Sequence, residues 1–470
     1  MMSDTPARQP YHYRRFEPVE PEWRRFPGWR DVTRAQWRDV RWQRTNSIKT
    51  LRALRTVLGD LVEDSFYEDV KRDQATHATM SILITPQVLN TMVPEEVPST
   101  EGLYADPVRR YVLPAASDRH PRWPTHPRAS RDSLHEAEMW AVEGLIHRYP
   151  TKVLAEMVTT CPLYCGHCTR MDLVGPSTPQ VTKQHFTTKA PDRREQMLEY
   201  LRKTPTVRDV VVSGGDLTNL PWPRLEAFLD GLMEIENIRD IRLASKGLMS
   251  LPQHWLTDEM RSGVERVATK AFDRGISLAI HTHINVASQV TETFTDAAKA
   301  MTEAGVRHIR NQGVLLRGVN STPDALLDLC FAVLDGAGVL PYYFYLCDMI
   351  PASEHWRLSV AEAQELQRAI MGYLPGFATP RLVCDVPYVG KRWVDQIVDY
   401  DRERGISYWT KNYLTSVDAE DPEALMRRFE YYDPIHELPA AGQAWWEAEI
   451  ASSGETPDGA HPAQAPAIVT

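Results

Sequence analysis

The stretch CPLYCGHC places Cys161, Cys165 and Cys168, half of the chain's six cysteines, within eight positions. Six cysteines in 470 residues is too sparse for a disulfide scaffold. No opening segment combines basic residues, an apolar run and a cleavage site, so a reduced, cytoplasmic setting is expected. A tight thiol group there reads as a metal site. The spacing is C-x3-C-x2-C, with no fourth cysteine close behind. A closed structural zinc site needs four ligands, and His167 inside the stretch is the candidate fourth. A cubane iron–sulfur cluster needs only three thiolates, which leaves one iron open to another ligand. The spacing favours the cluster and leaves zinc as the alternative. Cys330, Cys347 and Cys384 are scattered among apolar residues and read as small buried side chains.

Other chemistry-bearing residues fall at the ends of short apolar runs. KVLAEMV precedes the cysteines. RDVVVSGGD ends in Ser213, Gly214, Gly215 and Asp216. IRDIRLAS follows, and ISLAIHTHIN ends in His281, His283 and Asn285. VRHIRNQGVLL carries Asn311 and Gln312, and LPYYFYLCD ends in Asp348. Helical patterns separate the runs near 184–203, 222–235, 252–273, 290–304, 322–336 and 359–373. Apolar strands alternating with helices predict a parallel sheet covered on its faces. Six units predict an α/β, partial (βα)6 barrel, with functional groups beyond the carboxyl ends of its strands. The expected organisation is an N-terminal helical arm and lead-in over 1–145, the partial barrel over 146–375, a C-terminal extension over 376–450 and a disordered tail over 451–470.

Lys and Arg total 53 against 63 Asp and Glu, a net charge of −10, which argues against a nucleic-acid partner. No stretch approaches the ~20 apolar residues of a membrane span. Residues 1–60 differ, with 13 basic and 7 acidic residues and Trp23, Trp29, Trp37 and Trp42 among them. Basic residues interleaved with aromatics are one signature of nucleic-acid stacking. The periodicity of Ile48, Leu51, Leu54, Leu58 and Leu61 favours a helical arm packed on the main body.

Taken in order, these motifs resemble the lysine 2,3-aminomutase family of radical S-adenosylmethionine (SAM) enzymes. HRYPTKVL leads into CPLYCGHCTR, and VVSGGD, HTHIN, NQGVLLRGVN, YYFYLCD and DVPYVGK follow in the family's order. The early WRDVRWQRTNSI is similar as well, so the resemblance spans roughly residues 35–410. It implies a [4Fe–4S] cluster on Cys161, Cys165 and Cys168 whose open iron chelates SAM, and a low-potential electron donor that drives SAM cleavage. Ser213, Gly214, Gly215 and Asp216 would receive the SAM methionine; on their own they also suit a plain strand-to-helix turn. His283 and Gln312 would line the same site. The second implied cofactor is pyridoxal 5′-phosphate (PLP), which needs a lysine for a Schiff base. Composition does not choose among eleven lysines; the resemblance implies Lys391, with Arg148 and Tyr149 nearby and Lys152 where the family often has another arginine.

The implied substrate is a small amino acid. Arg170 would take its α-carboxylate bidentately, and Asp348 and Asp385 would hold a distal cation. That implies conversion of L-lysine to L-β-lysine by 2,3-amino migration. Arginine is the alternative substrate, and a non-enzymatic zinc-binding interaction protein is the alternative of a different class. The chain departs from the family at Gly166, commonly arginine, at MDL after Arg170, and at PYVG before Lys391, where relatives are nearly all glycine. Thr322 stands where some members carry a zinc-ligand cysteine, so no zinc bridge between subunits is expected, although a homo-oligomer is compatible with the reading.

Overall fold

A computed structural model of the protein describes residues 10–123, 125–418 and 421–453. Its main sheet has ten strands, hydrogen-bonded in chain order: β1 (Trp140–Val142), β2 (Leu145–Tyr149), β3 (Lys152–Val158), β4 (Asp209–Gly214), β5 (Asp240–Ala244), β6 (Ser277–Thr282), β7 (His308–Leu315), β8 (Leu340–Leu346), β9 (Arg381–Val386) and β10 (Gly390–Trp393). Neighbours from β3 to β9 pair in parallel. Antiparallel hairpins flank them at both ends. The sheet stays open, with β1 and β10 at its edges.

The expected partial barrel is present, and the sheet extends beyond the six expected units. RLVCDV adds a seventh parallel strand, and GKRW folds back on it. Their signal is weak because a three-residue turn over 387–389, not a helix, follows β9, so the βα alternation stops there. The pairing sets Lys391 directly opposite Asp385.

The helices lie where periodicity predicts them: Ala190–Lys203, Trp222–Met233, Asp258–Asp273, Glu292–Glu303, Pro323–Ala337 and Val360–Ile370. The third is preceded by a separate short helix, Pro252–Trp255, which takes the start of the range expected for it, and the first starts six residues later than expected. Pro191 sits in its first turn, where the missing N–H is harmless and the ring disfavours helix before it. Toward the N-terminus, Leu51–Leu58 buries Leu54 and Leu58. The tryptophans pack on each other: Trp23 stacks on Trp37 at 4.8 Å between centroids, and Trp29 meets Trp37 edge-on at 5.5 Å. Trp23, Trp29 and Trp37 are buried, so these rings are spent on the core rather than offered to bases.

After β10 the chain forms a three-stranded antiparallel sheet, Asp399–Asp401, Ile406–Trp409 and Phe429–Tyr432, and a helix, Ala440–Ser453. That helix carries three residues of the segment expected as a tail; 454–470 lie outside the described residues. Among the described residues, no helix is long and apolar enough to cross a membrane.

Candidate functional site

A cavity of about 550 Å³ lies against the sheet and collects residues from the carboxyl ends of β3 to β9. Its lining includes Cys161, Cys165 and Cys168, the strip Ser213, Gly214, Gly215 and Asp216, and His283 and Gln312. It also includes Arg148, Tyr149, Arg170, Asp348, Asp385 and Lys391. Residues separated by up to 243 positions thus share one chamber.

The cysteine loop follows β3 directly, and all three thiols are free. Burial pushes the Cys161 and Cys168 thiols up, because leaving water disfavours the charged thiolate. Among the described residues no three His, Cys, Asp or Glu side chains are arranged around a single metal ion. His167 does not complete a fourth ligand position. Its ring stacks on His283 at 5.6 Å, and both of its ring nitrogens are buried without a partner. Burial lowers His167 to about 3, so it is neutral. Gly166 is explained by its neighbour: a Cβ there would lie 2.3 Å from the Trp356 ring.

The SGGD strip has two jobs in its own loop. Gly214 adopts φ +120°, and a Cβ on it would meet the Val158 carbonyl at 2.4 Å. Only glycine lets the strip lie this close to the β3 backbone. Asp216 caps the following turn and spends both carboxylate oxygens on hydrogen bonds. Oδ1 accepts from Thr218 N–H (2.9 Å) and Ser245 Oγ (2.7 Å), and Oδ2 from Lys246 N–H (2.7 Å) and Gly247 N–H (3.1 Å). It therefore braces the turn after β5 that carries Lys246, a cavity residue the sequence reading missed. Lys246 Nζ contacts Cys165 Sγ. Burial opposes its charge, but the three cysteines hold it above the usual lysine range. No local motif betrays Lys246, because its partner lies 81 positions away.

Lys391 extends into the cavity between two aromatic rings, 5.7 Å from the Tyr149 centroid and 5.5 Å from Tyr345. Its Nζ lies 3.0 Å from Asp385 Oδ2, and Arg148 Nη1 lies 3.0 Å from Asp385 Oδ1. Burial alone would raise Asp385, but Lys391 and Arg148 keep it below the usual carboxylate range. Arg148 also donates to the Leu134 carbonyl (2.6 Å), while its Nε is buried without a partner. Lys152 is different: its ammonium sits 4.2 Å over Tyr149 with no carboxylate partner among the described residues. The hairpin is tied down where Tyr149 Oη accepts from Lys391 N–H (3.0 Å). Gly390 has φ +85°, and a Cβ there would lie 2.6 Å from Tyr149 Oη. Gly390→Ala is therefore expected to cost about 1–3 kcal/mol, read as a lowered Tm of the protein without cofactors.

Asp348 faces the same chamber without an ion-pair partner among the described residues. Burial, reinforced by Asp385 nearby, raises it to about 8. Arg170 is already occupied: Glu156 Oε1 lies 2.9 Å from its Nε and Glu136 Oε2 3.3 Å from its Nη2. Glu156, on β3, was not singled out in the sequence. Burial pushes it up to about 7, with Arg170 pulling the other way.

No family model matches the chain. It is 32% identical to the L-lysine 2,3-aminomutase of Acetoanaerobium sticklandii over 396 residues, covering 83% of this chain and 86% of that one. It is 30% identical to the L-lysine 2,3-aminomutase of Clostridium subterminale over 426 residues, covering 88% and 89%. A glutamate 2,3-aminomutase of Clostridioides difficile matches at 25% over 358 residues, 76% of each chain. With this identity sustained over most of both lengths, and with the ordered motifs gathered in one chamber, the chain belongs to the lysine 2,3-aminomutase family of radical SAM isomerases.

Proposed function

We propose that the protein converts L-lysine to L-β-lysine, using a [4Fe–4S] cluster, SAM and PLP. The observation that carries this reading is a single cavity lined by three free thiols together with the Lys391 amine and the carboxylates of Asp348 and Asp385. The thiols suit a cluster: they number three, and beside them His167 offers two buried, unpartnered nitrogens toward a polar ligand. Lys391 suits PLP because its amine is flanked by aromatic faces, and the unpaired Lys152 ammonium beside Tyr149 suits an anionic group such as a phosphate. Bound together, these cofactors supply a hydrogen-abstracting radical and a π-system that spreads the unpaired electron.

The chain's own residues then orient the substrate and exclude water. Arg170 meets a carboxylate by exchanging Glu136 for it; Glu156, buried behind the guanidinium, keeps the fork in place. Asp385 currently holds the Lys391 ammonium, and a substrate ammonium takes over that position when Lys391 turns to the cofactor. Arg148 stays on Asp385, so this carboxylate carries only part of the charge recognition. Asp348 supplies the rest once ionised. A glutamate substrate would bring a distal carboxylate to these two carboxylates, a like-charge contact that opposes binding.

The acid form of Asp348 gives a pH dependence of definite sign. Its carboxyl is protonated below about 8 and gains affinity for a cation as pH rises through that value. KM for lysine is expected to fall between pH 7 and 9, while KM for norleucine, which lacks the distal ammonium, stays flat over the same range. Asp348→Asn should remove the slope. Losing one charge-assisted hydrogen bond at Asp348 or Asp385 should lower kcat/KM for lysine roughly ten- to a hundredfold. The deciding experiment is anaerobic turnover with dithionite, SAM and PLP on lysine, arginine, norleucine and glutamate. Efficient turnover of arginine over lysine would replace the substrate, and equal use of norleucine and lysine would remove the case for a cationic one.

A further inference from the structure

We infer that Tyr388 and His135 form a latch that fixes the Lys391 hairpin against the segment holding the two cavity arginines. The inference rests on the reading of Lys391 as the cofactor anchor only for the latch's purpose. Two non-glycine residues adopt left-handed backbone here, Tyr388 at φ 61° and His135 at φ 54°. Such conformations cost energy in L-residues and persist where surrounding contacts over-determine them. The two residues supply those contacts to each other. Their rings stack at 4.1 Å with an interplanar angle of 22°, and Tyr388 Oη meets His135 Nδ1 at 2.9 Å. Glu138 Oε1 also reaches that nitrogen, at 2.9 Å.

Both halves of the latch adjoin the functional cavity. Tyr388 lies in the turn between β9 and β10, three residues before Lys391. The neighbours of His135 hold the arginines: the Leu134 carbonyl takes Arg148, and Glu136 pairs with Arg170. Asp132 secures this segment by accepting from Glu136 N–H (2.9 Å) and Ala137 N–H (3.0 Å). On the hairpin side, Lys411 Nζ donates to the Tyr388 carbonyl (3.2 Å) and Tyr413 Oη to the Val389 carbonyl. A glycine at 388 would adopt this backbone without cost and leave the turn pliable. Tyrosine accepts the strained backbone and gains an attachment across 253 residues of chain. Tyr388 and His135 are thus positioning residues for Lys391, acting through the turn rather than by touching the reacting atoms.

The test compares His135→Ala, Tyr388→Phe and Tyr388→Gly with the wild-type protein by two readouts that need no cofactor. One is amide hydrogen exchange over residues 386–391. The other is the rate of Lys391 acylation by acetic anhydride, followed by peptide mass spectrometry. His135→Ala and Tyr388→Gly are expected to speed both by roughly tenfold, and Tyr388→Phe, which keeps the stack, by only a fewfold. Tyr388→Gly should nevertheless hold its Tm within a few degrees, because it relieves the left-handed strain; a purely structural tyrosine would lower Tm without a local change at 386–391. Wild-type exchange and acylation in both His135→Ala and Tyr388→Gly would overturn the latch. Faster exchange with unchanged Lys391 acylation would overturn its positioning role. Borohydride trapping of PLP on another lysine would instead overturn the anchor assignment, and it is read separately from both rates.

Discussion

Alanine at Cys161, Cys165 or Cys168 is expected to abolish reductive SAM cleavage, bringing 5′-deoxyadenosine release to background in each single variant. The size follows from the ligand count. Three thiolates are the minimum that holds a cubane with one iron open, so a missing sulfur leaves a second iron without its protein ligand. No further cysteine lines the cavity to replace it. The sheet should survive, because the loop follows β3 and contributes nothing to the β3–β4 pairing over Lys152–Val158. Iron and sulfide content, circular dichroism and anaerobic product analysis check the three parts of this expectation. A single variant that releases 5′-deoxyadenosine at the wild-type rate would falsify the cluster assignment.

Lys391→Ala is expected to remove the absorbance of lysine-bound PLP and all amino migration while leaving iron content unchanged. Lys391→Arg should rescue neither, since a guanidinium retains the charge facing Asp385 but is not a nucleophile at working pH. The contrast between the two variants separates the chemical role from the electrostatic one. Asp385 keeps Arg148 in both, so its buried charge is not orphaned and the hairpin should remain folded. Absorbance titration with PLP, paired with borohydride reduction and peptide mapping, reads the anchor directly. An adduct on Lys152, the other amine beside Tyr149, would move the assignment there.

Local spacing made the cysteine loop legible, because all three cysteines lie within eight positions of one loop. The parallel sheet was legible for a similar reason: each βα unit repeats an apolar run and a helical period. Legibility failed wherever the partner is remote. Lys246 reaches Cys165 only because the loops after β3 and β5, on either side of β4, close over the same cavity, and Glu156 reaches Arg170 only because the cysteine loop folds back over its own strand. Gly166 looked like a departure at a cluster-flanking position, and its reason is the Trp356 ring, 190 residues on. Asp216 read as either a ligand or a cap, and its carboxylate is spent as a cap. Arg170 and Asp385 were read as open to substrate, while both carry partners from the chain itself, a charge pairing that no motif encodes.

The position of β10 at the far edge of the sheet has a consequence for biogenesis. Lys391 leaves the ribosome 230 residues after Cys161. At ~5–20 residues per second, that is roughly 10–50 seconds in which the three thiols exist without the hairpin that completes their chamber. Until β9 and β10 dock, the cavity that the thiols line lacks its wall of Val383, Asp385 and Lys391. Cellular oxygen exposure should therefore harm newly made chains more than finished ones. Slowing translation between codons 168 and 391 should lower the fraction of protein that emerges able to accept its cluster.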